Sequence, residues 1–307
     1  FEGAVNDAVR EFLLKIWNVY SFLVTYANID GWTPASPRPA IAERALLDRY
    51  ILAELDLTVR RVRDELDAYK SHMAVRHVDE FVDALSNWYV RRSRDRFWSE
   101  GDSADKAAAF ATLYEVLVDL AKLVAPFAPF LAEGLYQNLV RKLDASAPVS
   151  VHLAAYPQAD EARRADALVA AVDLARQAVT LGQRVRNDAK IKTRQPLGEA
   201  ILVVASEAER TSLERFAQDI KDELNVVALT FTEEPAKYVD FQLLPNFRVL
   251  GPKLGQKLPE CKKALGAANG SELHAEMAAN GKIVLALPSG PIELGPDENM
   301  HDDMIEE

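Results

Sequence analysis

Apolar residues step by three or four positions through most of the first 143 residues, and that period commits this part of the chain to helices packed side by side. The first stripe is Val5, Val9, Phe12, Leu13, Ile16, Trp17, Tyr20, Leu23, Val24 and Ala27, which predicts a helix over 4–27 that stops at Asp30-Gly31. After the proline-stiffened connector 33–39, a second helix is predicted from Ile41 to Tyr69, carrying Leu47, Tyr50, Ile51, Leu55, Val62 and Leu66. A break at Lys70-Ser71-His72 leads to a third over 74–98, striped by Ala74, Val75, Val78, Phe81, Val82, Leu85, Trp88 and Tyr89. Gly101-Asp102-Ser103 caps a fourth, with Phe110, Leu113, Tyr114, Leu117 and Val124 on one face. The Pro-Phe stretch 125–130 stops it, and Pro129 suits the first turn of a helix over Phe130–Leu143. Long helices with short connectors imply a bundle.

Beyond Pro148 the period changes. Val149, Val151 and Leu153 alternate with polar neighbours and read as a short extended link, followed by a helix over Glu161–Ala189 and a turn at Gln195–Gly198. Ala200–Ala205 reads as a buried strand, Glu207–Leu224 as a helix, and Val226–Thr232 and Tyr238–Leu244 as further strands. Leu254–Leu265 and Glu272–Ala279 look helical, and Lys282–Leu287 with Ile292–Leu294 flank a hairpin turn. The expected class is therefore mainly α: a helix bundle at 1–158, a connecting helix and basic segment at 159–196, and a small α+β domain with an acidic tail at 197–307.

Of 307 residues 49% are apolar, enough for two cores, while the 27% charged fraction excludes general disorder. The net charge of −11 excludes attraction to nucleic acid by global charge, so any such role must rest on local patches. One cysteine, Cys261, permits no internal disulfide and fits a reducing cytoplasm. The five histidines show no ligand spacing, so no metal site is expected. No apolar run reaches the roughly 18 residues of a membrane helix, and no membrane partner is expected. The chain opens in mid-helix without an initiator Met, as a piece of a longer protein would. The Gly251–Lys257 stretch lacks the spacing and the Ser or Thr of a nucleotide loop, and no nucleophile elbow or metal helix is present. Catalytic residues expected in this chain are none.

Two basic clusters stand out. Arg91, Arg92, Arg94 and Arg96 arrive together, opposed only by Asp95 and closed by Phe97 and Trp98. At roughly 100° per residue Arg92 and Arg96 fall within about 20° of the core stripe and Arg94 about 180° away. The second cluster is Arg184, Arg186, Lys190, Lys192 and Arg194, opposed only by Asp188. Cations beside exposed aromatics are what RNA recognition uses, phosphates taking the charge and bases the stacking. The expected RNA contacts are Arg91, Arg94, Trp98, Arg184, Arg186, Lys190, Lys192 and Arg194. Arg92 and Arg96 are equally suited to bracing the bundle against carboxylates, and Trp17, Tyr20 and Trp88 read as core. A protein-interaction module with incidental basic patches satisfies the same pattern.

Specific strings sharpen this. WNVYSFLVTYANIDGW (17–32), DRYILAEL (48–55), FVDALSNWYVRRSRDRFW (81–98), LYEVLVDLAKLVAPFAPFLAEGLYQNL (113–139), SVHL (150–153), AKIKTRQPL (189–197), ELNV (223–226) and LPNFRVLGPKLG (244–255) occur in the order of landmarks in isoleucyl-tRNA synthetases. The chain resembles that class I family, in its longer, eukaryotic-like branch, over nearly its whole length; valyl- and leucyl-tRNA synthetases share the helical bundle. The resemblance implies the anticodon-binding bundle and following domain of an enzyme that joins isoleucine to its tRNA with ATP and edits mischarged valine. It implies ATP and Mg, with Zn a further candidate, for the full-length ligase. The family's two ATP signatures, His-Ile-Gly-His and Lys-Met-Ser-Lys-Ser, are missing here, as are the nucleotide fold and the editing domain. The chain is expected to be inactive alone, to take the anticodon stem-loop of tRNA(Ile) as partner beside those missing domains, and to be a cytoplasmic monomer.

Overall fold

The computed structural model describes residues 3, 6, 8–101, 103–234, 250 and 254–295. They form two compact units, Phe1–Gln195 with Ser212–Asn225, and Pro196–Thr211 with Val226–Glu307, a different partition from the three segments read from composition.

In the first unit a π-helical turn, Ala8–Leu13, runs into α1 (Leu14–Asp30), which ends on Gly31 at φ 64° with the Trp32 amide donating back to Ala27 O. Helix α2 (Leu46–Asp67) starts later than the period predicts. Arg44 is extended and its guanidinium lies inside the bundle, donating to Thr112 Oγ1 at 2.9 Å and to both Glu115 oxygens at 3.1 Å, so a long-range contact overrides local helicity. α2 stops where Tyr69 adopts φ 59°. Helix α3 (Ser71–Asp83), a π-helical stretch Ala84–Val90 and α4 (Arg91–Trp98) form one continuous rod.

Ser103 caps α5 (Ala104–Val124) by accepting the Lys106 amide, as expected, and Pro129 opens α6 (Pro129–Tyr136). The expected extended link at 149–153 is instead a 3-10 turn, Val151–Leu153. Ser150 caps it, and Glu133 accepts the Val151 amide at 2.9 Å, bonds that an alternating pattern does not reveal. α7 (Asp166–Asp188) follows. The core joins Ile16, Val19 and Leu23 to Tyr50, Ile51, Leu55, Phe81, Leu85, Phe110, Leu117, Tyr136 and Val172, all buried. Tyr20 and Trp88 are core as expected; Trp17 is not, standing 45% exposed at the edge of the α1 stripe.

In the second unit β1 (Leu197–Val203) pairs in parallel with β2 (Val226–Thr232), Leu197 opposite Val226 and Val203 opposite Thr232. The strand therefore begins inside the expected turn, and it is half-exposed rather than buried: Ile201 and Val203 are open to solvent on a sheet that has two strands among the described residues. The chain between them breaks into α8 (Glu207–Glu214) and α9 (Ala217–Leu224), of which α9 belongs to the first unit. The hairpin β3 (Ile283–Leu285) and β4 (Ile292–Leu294) forms as read. With α10 (Leu258–Ala267) and α11 (Gly270–Asn280) it closes a small core around Cys261, Leu265, Leu273, Ile283 and Leu285. The strand expected at Tyr238–Leu244, the Gly251–Lys253 stretch and the acidic tail lie outside the described residues.

Candidate nucleic-acid interface

The first basic cluster divides by helical face. The wider turns of the π-helical stretch bring Trp88, Tyr89 and Val90 together into the core, so the arginines after them inherit a rigid frame. Arg96 turns inward. Its Nη1 and Nη2 donate to the two oxygens of Asp48 at 2.8 and 2.7 Å, and its Nε donates to Asp105 at 2.9 Å. Asp48 is fully buried and also accepts from the Tyr89 hydroxyl at 2.7 Å. Burial alone opposes the Arg96 charge, but the bonds to Asp48 and Asp105 outweigh it and hold the guanidinium above its ordinary pKa.

Arg92 turns to α9. Its Nε donates to Asp219 at 2.5 Å and its Nη1 to Glu223 at 3.2 Å, with Asp222 at 3.5 Å and the Trp88 ring centre 5.3 Å from the guanidinium carbon. Arg91 shares Glu223 at 3.0 Å yet remains 55% exposed. Arg94 is exposed, and so is half of Trp98, whose ring centre lies 6.4 Å from that of Tyr26.

The second cluster sits where α7 ends. Ile191 N–H donates to Arg186 O at 2.8 Å and Lys190 N–H to Asn187 O at 2.9 Å, a Schellman close with Lys190 in the left-handed position at φ 57°. Arg186 differs from its neighbours. It is 4% exposed, and its Nη2 donates to the carbonyls of Lys192 at 3.0 Å, Thr193 at 3.4 Å and Gln195, so the side chain lies under the loop rather than on its surface. Expected as an RNA contact from its charge alone, it is placed as an internal brace, because the loop it precedes folds back over it. Lys190, Lys192 and Arg194 are exposed on that loop; Arg184 is exposed, 3.9 Å from Asp188.

Helix α9 links the clusters. Its acidic face holds Arg91 and Arg92. Leu224 packs on Gly182 of α7, where an added Cβ would come within 2.6 Å of a Leu224 methyl. Two residues beyond Glu223, Asn225 Nδ2 donates to Thr193 O of the basic loop at 3.0 Å. An open groove of about 800 Å³ runs between the π-helical stretch and α7, lined by Trp88, Arg91, Gln177, Thr180, Gln183 and Glu223. Asp219, Asp222, Glu223 and Asn225 had no local signal as partners, being more than a hundred positions from Arg92 or hidden in an ordinary amphipathic helix. Deeper in the unit, burial pushes the Glu54 carboxyl up to about 7, with Asp173 adding to this and Arg61 and Arg176 opposing it.

Among the described residues no set of His, Cys, Asp and Glu side chains is grouped to hold a metal, and no helix is long and apolar enough to cross a membrane.

Residues 48–202 match the family described as the anticodon-binding domain of tRNA ligase. The chain is similar to the isoleucine–tRNA ligase of Clostridium novyi, 41% identical over 92% of this chain and 27% of that protein. It is likewise 41% identical to that of Thermus thermophilus, over 96% and 28% respectively. It is 49% identical to that of Dehalococcoides mccartyi, over 76% and 23%. The chain thus spans about a quarter of the length of the curated relatives it matches, and the resemblance to isoleucyl-tRNA synthetases read from the sequence is borne out.

Proposed function

The chain belongs to the anticodon-binding domain family of tRNA ligases, and from that premise we propose that it is the tRNA-binding region of an isoleucine–tRNA ligase, holding the anticodon stem-loop of tRNA(Ile). The observation that carries this is the division of its cations. Arg92, Arg96 and Arg186 are consumed inside the fold, whereas Arg94, on the same helix as the half-exposed Trp98, and Arg184, Lys190, Lys192 and Arg194, at the end of α7, face solvent. Buried arginines stiffen the scaffold, and free cations neutralise phosphates while an exposed ring stacks a base. Arg91, held by Glu223 yet open, joins the contact set. In a chain of net charge −11 such a local concentration is what docking on a polyanion requires.

The rest of the activity follows the same reading. ATP, Mg²⁺ and Zn²⁺ chemistry, amino-acid activation and editing belong to other parts of the full-length ligase, and this chain is inactive alone. It works as a monomer in the cytoplasm, its catalytic and editing domains being its partners in the same polypeptide.

The test is fluorescence anisotropy of labelled tRNA(Ile) transcript titrated with the chain across KCl, repeated with valine and leucine anticodons transplanted. Binding that weakens linearly in log–log salt, with a slope of about −0.9 per phosphate contact, and that favours the isoleucine anticodon is expected. Salt-insensitive or absent binding would favour a protein-docking module and refute the reading; preference for another anticodon would move it to a related ligase.

A further inference from the structure

We propose that Arg186 is a positioning residue, which from beneath holds the 190–194 loop in the shape that turns Lys190, Lys192 and Arg194 outward together. This rests on the RNA-binding reading above and adds how the site is built. Three observations carry it. The Arg186 guanidinium is buried, and among the described residues its hydrogen-bond partners are carbonyls of Lys192, Thr193 and Gln195, with no carboxylate to neutralise it. Those bonds all come from Nη2, while Nε and Nη1 are buried without a partner among the described residues, so the loop carbonyls are what offsets the burial of this cation and they do so only while the loop stays folded over it. Its own carbonyl is capped by Ile191 N–H, so backbone and side chain of one residue grip the loop at both ends. From outside, Asn225 at the end of α9 takes the remaining side through its 3.0 Å bond to Thr193 O.

With the carbonyls of Lys192, Thr193 and Gln195 drawn inward, the side chains of Lys190, Lys192 and Arg194 stay exposed on the loop. An ordered array meets successive phosphates without the entropy cost of immobilising a free loop, the usual gain from preorganisation. Lys190 in the left-handed region supports this, since an ordinary side chain rarely adopts that conformation and it persists where its surroundings impose it.

The experiment uses the whole 307-residue chain. Arg186→Met removes the bonds while retaining an unbranched side chain; Asn225→Gly, at a position whose φ of 50° glycine adopts readily, removes the outer bond and serves if Arg186→Met does not fold by circular dichroism. Two readings are taken. In the free protein, tryptic cleavage after Lys190, Lys192 and Arg194 is expected to accelerate about tenfold or more as the loop opens locally. With tRNA(Ile), the salt slope is expected to flatten by the worth of two or three contacts, about 1.8 to 2.7, and Arg186→Met is expected to add nothing further in a Lys190, Lys192, Arg194→Gln background. A folded variant with unchanged cleavage overturns the proposal. So does a slope loss of one contact or less, the signature of a direct contact or a plain fold brace. If the native chain binds no tRNA, the proposed function fails, while the cleavage reading still decides this one.

Discussion

Replacing Asp48 with Asn tests the assignment of Arg96 to the scaffold. Asp48 has no exposed surface and accepts three bonds, from Arg96 Nη1 and Nη2 and from the Tyr89 hydroxyl, at 2.8, 2.7 and 2.7 Å. Asparagine keeps the shape but removes the charge and aims an amide donor at a guanidinium donor. Breaking a buried pair costs about 3–5 kcal/mol when the partner is left uncompensated. Here Asp105 remains 2.8 Å from Arg96 Nη2, although half-exposed, so the expected loss is toward the lower end, about 3 kcal/mol.

Arg96→Met leaves a sealed carboxylate with only the Tyr89 hydroxyl, and is expected to cost about 4 kcal/mol. The double variant should cost at least about 1.5 kcal/mol less than the sum, because each single change already destroys the shared interaction. Urea unfolding followed at 222 nm, with the slope checked for constancy, reads all three. The tRNA salt slope of Arg96→Met should equal that of the native chain. An Asp48→Asn loss under about 1 kcal/mol, or additivity within about 0.5 kcal/mol, would refute the reasoning, as would a flattened salt slope.

Glu54 is pushed up to about 7 by burial, then by Asp173, against an ordinary 4.5, and it is 7% exposed. The folded state therefore holds its proton more tightly than the unfolded state; the stabilisation is full below about pH 4.5 and is lost as pH rises through 7, about 3 kcal/mol in all. Glu54→Gln should abolish that component of the stability-versus-pH curve between pH 5 and 8, and an unchanged difference between the two pH values would refute it. Tyr69 ends α2 at φ 59° with its side chain 97% exposed. Tyr69→Gly should therefore raise stability by about 0.5–1 kcal/mol in the same urea assay, whereas a loss would show that the ring makes contacts that matter.

Much of the bundle was legible because its signals are local. A 3.6-residue stripe, the Asp30-Gly31 stop, the Ser103 cap and Pro129 in a first turn each act within a few positions, and each lies where it was read. The misreadings share a cause. Arg44 bonded to Glu115, Ser150 and Val151 bonded to Glu133, and Trp17 left at a stripe's edge are decided by neighbours distant in sequence, which a period cannot report. The half-exposed β1 shows the same limit: an apolar run specifies a strand more readily than what covers it.

By itself the sequence determined that this chain makes a helix bundle followed by mixed structure, which family it resembles, and where its positive charge is concentrated. Periodicity, caps and composition are properties of neighbouring residues. Only the tertiary structure decided which cations stay exposed. Arg94 and Arg96 are chemically alike and two residues apart, as are Arg184 and Arg186, yet one of each pair faces water and the other is enclosed. The cost of burying a guanidinium is met only where distant acceptors, Asp48 in one case and the returning loop carbonyls in the other, arrive through folding.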